Sequence, residues 1–467
     1  MGVFDALNTS VGGLQAQSFA LQNISGNIAN AQTTAFKRTN TSFVDLVPDA
    51  RSAERQTSGG VTAYGQATIS SQGTVTASTV GTYMAINGDG FFNVQKSIGS
   101  VDNSPVFTGV TAYTRRGDFQ VNSTGNLVNG SGYFLMGVPV DPKTGNPLGN
   151  VAEVLQFQNN FVPAQATTMI QYTANLPTLP STGAKSLATP GTLAAMGGLT
   201  ASSYSVDPTT ANSGGGRVVG TDAATFHNES ISGGAITAYD SSGSAVNLQM
   251  RWAKIDSAGL GGSHVDTWNL FYQNDADATG TTTAWTNVGT DFVFDSNGRM
   301  TAPSAASVTI NNVVADDHAL GNLTMSIGTG GLTQYANTNG TATLNTINQN
   351  GYPAGQLQTV TINNSGIVMG SFSNGQNIKL ASVSLSHFNG TNYLKALDGG
   401  SYGVTERSGP PIDGASGAIN GSSLEASNTD IADEFTKLIV TQQAYSANTK
   451  VITTATTMVQ DLLNVLR

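Results

Sequence analysis

Between Thr429 and Leu466 the heptad positions, four and three residues apart in turn, fall on Ile431, Phe435, Leu438, Gln442, Tyr445, Thr449, Ile452, Thr456, Val459, Leu463 and Leu466. The stretch has no Pro or Gly, so the pattern predicts the seam of a coiled-coil helix, roughly 55 Å long at 1.5 Å per residue. Asn428 or Thr429 can cap its start, and Asp430, Asp433 and Glu434 suit the positive end of the helix dipole. The opposite face is Thr, Ser, Gln, Asn and Ala, with only Lys437, Lys450 and Asp461 charged beyond the first turn. A solvated helix normally carries a charged stripe there. The pattern therefore favours a helix that meets several neighbours in an assembly over a core helix of an ordinary domain.

The first thirty residues repeat the spacing with Phe4, Leu7, Val11, Leu14, Ser18, Leu21, Ser25 and Ile28. Gly12, Gly13 and Gly26 each cost about 1 kcal/mol in a helix interior, so this helix should form mainly by packing on the C-terminal one. Residues 38–73 are Ser/Thr-rich, poor in large apolar residues and punctuated by Gly59, Gly60, Gly65 and Gly73, which predicts an extended connector.

From Thr74 the period changes to two. Met84–Ile86 and Phe91–Val94 flank Asn87-Gly88-Asp89-Gly90, a hairpin signal, and further strands are expected around Tyr113–Phe119, Asn126–Val128 and Tyr133–Gly137. Leu176 to Gly216 is low in complexity and loop-like. A hairpin joins Ile236–Tyr239 to Val246–Trp252, followed by strands at Trp268–Tyr272, Phe292–Phe294, Val308–Ile310 and Leu323–Ile327. Val360–Val368 and Ile378–Ala381 read as later strands. The fold class is thus multidomain and mainly β, with a terminal α-helical coiled-coil domain formed by the N- and C-terminal helices and with nested, discontinuous β domains. The boundaries implied are a terminal helical domain at 1–37 and 428–467, the connector at 38–73, a first β domain at 74–149 and 331–427, and an inserted outer β domain at 150–330, as one domain or two.

Composition narrows the function. Of the 467 residues only 10% are charged and 55 are Gly, as in secreted or surface β-rich proteins; the net charge is -10 and cysteine is absent. No basic cluster exists to neutralise phosphates, which argues against nucleic acid or an anionic membrane as partner. Disulfides and thiolate metal sites are removed from consideration, and no 18-residue apolar run predicts a membrane span. Met1 to Ser25 holds no Lys or Arg, so a cleaved secretory leader is not expected and a type III-like export route is.

No catalytic, cofactor-binding or metal-binding residue is predicted. His227, His264, His318 and His387 are scattered, and Asn274-Asp275-Ala276-Asp277 lacks the Gly and terminal Glu of a calcium loop. Arg116-Gly117-Asp118 reads as a strand-to-turn element rather than an adhesion tripeptide, and Gly88-Asp89-Gly90 as a turn supplying positive φ.

Two stretches carry a resemblance. Asn27-Ile28-Ala29-Asn30-Ala31-Gln32-Thr33-Thr34-Ala35-Phe36-Lys37 resembles the signature after the N-terminal helix of bacterial flagellar axial proteins (rod, hook and hook-filament junction), with Gly26 where Asn is usual and Ala35 where Gly is usual. Leu424-Glu425-Ala426-Ser427-Asn428-Thr429-Asp430, with Gln442, Tyr445, Asn448, Ile452 and Met458, is similar to the C-terminal signature, with Thr429 where Val is common. The resemblance covers roughly 1–148 and 332–467. It implies assembly roles for Phe4, Leu7, Val11, Leu14, Leu21, Ile28, Asn27, Asn30, Thr33, Thr34, Phe36 and Lys37, and for Ser427, Asn428, Asp430, Ile431, Phe435, Leu438, Gln442, Tyr445, Asn448, Ile452, Val459, Leu463 and Leu466.

Within that family the long insertion favours a hook subunit over a distal rod protein. The resemblance then implies a non-enzymatic helical homopolymer, a curved flexible tube passing torque from rod to filament. Its partners would be itself, the distal rod, the hook cap, the junction proteins and the flagellar export apparatus. A secreted β-rich adhesin or glycan-binding protein, or a polysaccharide-active enzyme using paired carboxylates, would leave both heptad ends unexplained.

Overall fold

The computed structural model describes residues 3–46, 60–102, 104–141, 144–157, 161–209, 216–414 and 417–465. Contacts divide the chain into two compact units, 1–160 with 357–467 and 161–356.

In the first unit the termini are helical, Val3–Ala29 and Ile431–Val465. The stretch expected to be an extended connector contains a paired hairpin instead. Thr39–Asp45 runs antiparallel to Val61–Ala67 in unbroken register from Thr39↔Ala67 to Asp45↔Val61. Seven consecutive backbone pairs offset the shortage of large side chains, and the hairpin is further held by the N-terminal helix, where Phe19 reaches Gly65 and Gly12 faces the Val61 backbone.

The β part of this unit interleaves strands from both halves of the chain. Neighbouring strands run in the order Gly355–Ile362, Ile367–Phe372, Asn377–Val383, Tyr133–Pro139, Phe91–Val101, Ser104–Thr114, Ser401–Gly403 and Lys395–Leu397. The seam between early and late segments is direct, with Ala381 opposite Pro139 and Tyr402 opposite Tyr113. Ile69, Phe91, Tyr113, Phe388, Leu394 and Tyr402 form an apolar cluster in which Phe388 meets Tyr113 edge-to-face at 4.8 Å.

The hairpin expected around Asn87–Gly90 forms one step later. Met84–Asn87 pairs with Ala418–Gly421, whereas Phe91–Val101 pairs with Ser104–Thr114. The Gly88 and Gly90 φ values of 96° and 141° make this a turn between strands of different sheets. Gly117 allows the backbone of Arg116–Asp118 to approach Met84 O, where a Cβ would sit 1.6 Å away, and Arg116 is fixed to Asp118 by two bonds of 2.8 and 2.9 Å.

Among the described residues the second unit is all-β apart from one short helix, Ala223–Glu229, and several 3-10 turns. One sheet orders Ser307–Ala315, His318–Ser326, Met169–Asn175 and Leu332–Thr333, with Thr343–Gln349 also on Met169–Asn175. The other orders Arg217–Val219, Thr283–Phe294, Asp266–Gln273, Ala245–Asp256 and Ile231–Tyr239. Both contribute to one core that includes Tyr172, Trp252, Trp268, Phe292 and Leu323. The boundaries differ from 150 and 330 because Phe161 pairs with Gln356 and Ile170 with Gln349, which carries 331–356 into this unit.

Candidate functional site

The two terminal helices pack antiparallel. The Asn27 amide donates to Glu434 Oε2 at 3.0 Å, and a Cβ built on Gly13 would lie 2.9 Å from Asn448 Nδ2. From Asn27 to Gly13 and from Glu434 to Asn448 is the same number of residues on each helix, so the pairing keeps register. Its buried line is made of small and polar groups: Ser10, Gly13, Ala16, Ala20, Ile24 and Asn27 on one helix, Glu434, Thr441 and Ala455 on the other. Such residues let backbones come close, and a Cβ on Gly13 would have to displace the Asn448 amide.

This line departs from the apolar heptad. Ile431, Phe435, Gln442, Tyr445, Thr449, Thr456 and Leu463 are exposed in the subunit, and Leu438, Asn448, Ile452 and Val459 are half-buried. On the N-terminal helix Val11, Ser18 and Ser25 are exposed, while Leu7, Leu14, Leu21 and Ile28 are half-buried. The side chain of Phe4 and all of Leu466 lie outside the described residues. The physical reason is geometric: small residues face inward, which rotates the large ones out. Phe435, Ile439 and Leu463 are 49%, 55% and 59% exposed, on a helix with few charges to keep them company.

A polar network fastens the helix ends to the β part. Asn27 also receives Thr39 N and donates to Thr39 O, both at 3.0 Å. Asn30 bonds Gly26 O and receives Thr33 Oγ1 at 3.1 Å, while Thr34 is half-buried. Ala35, buried, takes φ 54° and donates to Glu425 O at 2.8 Å. Phe36 O receives Asn428 N at 3.1 Å. The Asn428 side chain receives Arg38 N at 2.8 Å and reaches Ser71 O at 3.1 Å, and Ser427 Oγ receives Thr429 N. The helix cap is therefore Asp430, whose Oδ1 takes Ala432 N at 2.8 Å and Asp433 N at 3.3 Å, rather than Asn428 or Thr429.

At the centre of this network lies an ionic triad. Glu425, fully buried, pairs with Lys37 on one oxygen and Arg115 on the other at 3.4 Å, and takes Gly73 N at 2.9 Å. Lys37 donates further to Ser71 O at 2.6 Å, and Arg115 to Ile86 O at 3.2 Å while lying over the Phe91 ring. Burial pulls both cations below their usual pKa ranges against the opposing pull of Glu425. It also pushes the Tyr402 phenol up, with the Glu425 charge adding to the effect. Backbone carbonyls take further protons of both cations, Ser71 O from Lys37 and Ile86 O and Gly88 O from Arg115, while Arg115 Nε is buried without an acceptor among the described residues. One node thus joins the N-terminal signature, the first sheet and the C-terminal signature.

Among the described residues no group of three or more His, Cys, Asp or Glu side chains is placed to hold a metal ion, and no helix is long and apolar enough to cross a membrane. The acidic stretch at 274–277 is a turn, with Asp277 N on Asp275 Oδ1 and Asp316 N on Asn274 O. His264 and His318 rest on Asp256 and Asp240, and His387 on Gly414 O.

Comparison with known proteins bears on the same segments. Three family models match: the flagellar hook protein FlgE/F/G D1 domain at 85–171, the flagellar basal body protein FlaE D2 domain at 220–352, and the flagellar basal body rod FlgEFG protein C-terminal at 420–465. The flagellar hook protein of Brucella suis is 28% identical over 475 residues that span both chains completely. The chain belongs to the flagellar hook protein family. The hook protein of Caulobacter vibrioides is 27% identical across the whole of both chains, and that of Salmonella typhimurium is 27% identical over 98% of this chain and 99% of its own. A crystal structure of the Helicobacter pylori hook protein FlgE2 aligns over 75% of this chain and all of its own, with 16% identity and a TM-score of 0.48.

Sequence reasoning missed Arg115, Glu425 and Glu434 as members of this hook-family site. Their one visible signal was scarcity: in a chain with few charges, a charged residue within or beside a signature stretch invites a specific partner.

Proposed function

We propose that this chain is the structural subunit of a bacterial flagellar hook, polymerising through its paired terminal helices into a flexible tube that passes torque from rod to filament. The observation that carries the reading is the rotation of the C-terminal helix. Its large apolar residues are turned away from the helix it pairs with, and its polar face lacks the charges that would keep it in water. In a homopolymer, neighbouring copies of the same helix cover that surface, and the helices line the inside of the tube. The Lys37–Glu425–Arg115 node holds the helix pair at one angle to the first sheet, so that force on one is passed to the other.

This reading also carries the finer roles. Copies of the chain are the main partner, and the distal rod, hook cap, junction proteins and flagellar export apparatus are the others. No enzymatic activity is part of it. Electron cryomicroscopy of polymer from the purified subunit is the test: residues 431–465 should line the central channel in contact with other subunits. A polymer with that helix on its outer surface would refute the proposal.

A further inference from the structure

In the second unit the middle of the larger sheet is buried on both faces. Trp252, Leu270 and Tyr272 enter the shared core, while their neighbours Ala253 and Phe271, with Trp285, enter a second cluster containing Leu199, Tyr204, Val218 and Phe226. Phe226 meets Phe271 at 4.8 Å and Trp285 at 5.5 Å. This second face is covered by the short helix Ala223–Glu229 and by the strand-free stretch 182–205, with its three 3-10 turns, and not by another sheet.

The cover is fastened in an uncommon way. Glu229, at the end of the helix, accepts Thr200 N at 3.0 Å and the Tyr204 hydroxyl at 2.9 Å, both on Oε2. Asp222, at its start, accepts Ser205 N at 2.8 Å and Ser205 Oγ at 3.2 Å. Both carboxylates are buried, and among the described residues neither is paired with a cation. Burial and the nearby Glu229 push the Tyr204 phenol well above its usual range, so it stays a donor. A buried carboxylate without a counter-charge has lost hydration that hydrogen bonds repay only in part. Opening the cover returns that hydration.

We propose that residues 199–205, with the loop before them, form a strap that opens and closes over the Phe226–Phe271–Trp285 cluster, latched by Glu229 and Asp222 and driven towards opening by the uncompensated charge of Glu229. Closed, it hides an aromatic face; open, it presents one. The device belongs to the second unit alone and does not depend on polymer formation.

Hydrogen–deuterium exchange of the full chain tests this, because Glu229→Gln keeps an oxygen for both donors, which share Oε2, while it removes the charge and puts an amide NH2 in place of the other oxygen. Exchange at Thr200, Tyr204 and Ser205 should slow about tenfold in Glu229→Gln and quicken about tenfold in Glu229→Ala, with the amides of 266–273 unchanged. Should Glu229→Ala unfold the unit, the comparison of Glu229→Gln with the natural chain decides. Equal or faster strap exchange in Glu229→Gln overturns the proposal. So does a natural chain in which strap and strand amides exchange at one common rate.

Discussion

Gly13 on the N-terminal helix lies directly against Asn448 on the C-terminal helix, with no room for a Cβ unless the Asn448 amide moves. A single methyl here can be met by a shift of the Asn448 amide, but a bulky side chain cannot. Gly13→Leu should therefore force the helices apart, at a cost of about 1–3 kcal/mol for an overpacked contact, and lower the helical signal of the subunit in circular dichroism. Gly13→Ala should be far milder, because the group it meets is the end of a flexible side chain and Ala recovers about 1 kcal/mol of helix propensity. Equal helicity in Gly13→Leu and the natural chain would show that the helices do not pair through this line.

Glu425→Gln should destabilise the first unit by about 3–5 kcal/mol, since it leaves Lys37 and Arg115 buried without their shared counter-charge. Chemical denaturation followed by far-ultraviolet circular dichroism should show the lower midpoint. Arg115→Met, which balances the remaining Lys37–Glu425 pair, should cost less. A midpoint unmoved by Glu425→Gln would remove the node from the account.

All three tryptophans, Trp252, Trp268 and Trp285, are buried in the second unit, whose first and last residues are paired through Phe161 and Gln356. Residues 161–356 expressed alone should fold and reproduce the tryptophan emission and thermal midpoint of the full chain. A red-shifted emission in the isolated fragment would show that this unit needs the rest of the chain.

The long-range plan of the chain was legible in its sequence because it rests on strong periodicities. The strand beginning at Ala245 alternates clearly, Trp268–Tyr272 stands out as a continuous run buried throughout, and the terminal stretches hold no competing pattern. That the terminal helices pair was legible, but the line along which they meet was hidden for a physical reason. A heptad is read from large apolar residues, yet this pair meets through Gly13, Ala16, Ala20 and Thr441, which carry no such signal. The apolar positions divide: Leu438, Ile452 and Val459 are half-buried in the subunit, whereas Phe435 and Leu463 are exposed. The hairpin at 39–67 escaped because its strands are held by backbone pairing and by a helix distant in pattern rather than by alternation of their own. The triad escaped because residues 37, 115 and 425 come together only once the sheet has formed.

Substitutions on the C-terminal helix should separate the two contacts. Leu438→Asp and Ile452→Asp place a charge at half-buried positions, so each should loosen the helix within the subunit as well as prevent polymer. Thr457→Asp, exposed and off the apolar surface, should leave the subunit intact and affect polymer least. A ranking in which Thr457→Asp is the most damaging would relocate the contact surface to the polar face.

The account depends most on the claim that the exposed apolar surface of this helix is where copies meet. Sedimentation of purified Phe435→Asp beside the natural chain, with circular dichroism of both, measures that claim. Phe435 is half exposed in the subunit, so its replacement should leave the monomer's spectrum and thermal midpoint unchanged while sedimenting polymer is lost. Polymer of normal amount and length from Phe435→Asp would contradict it.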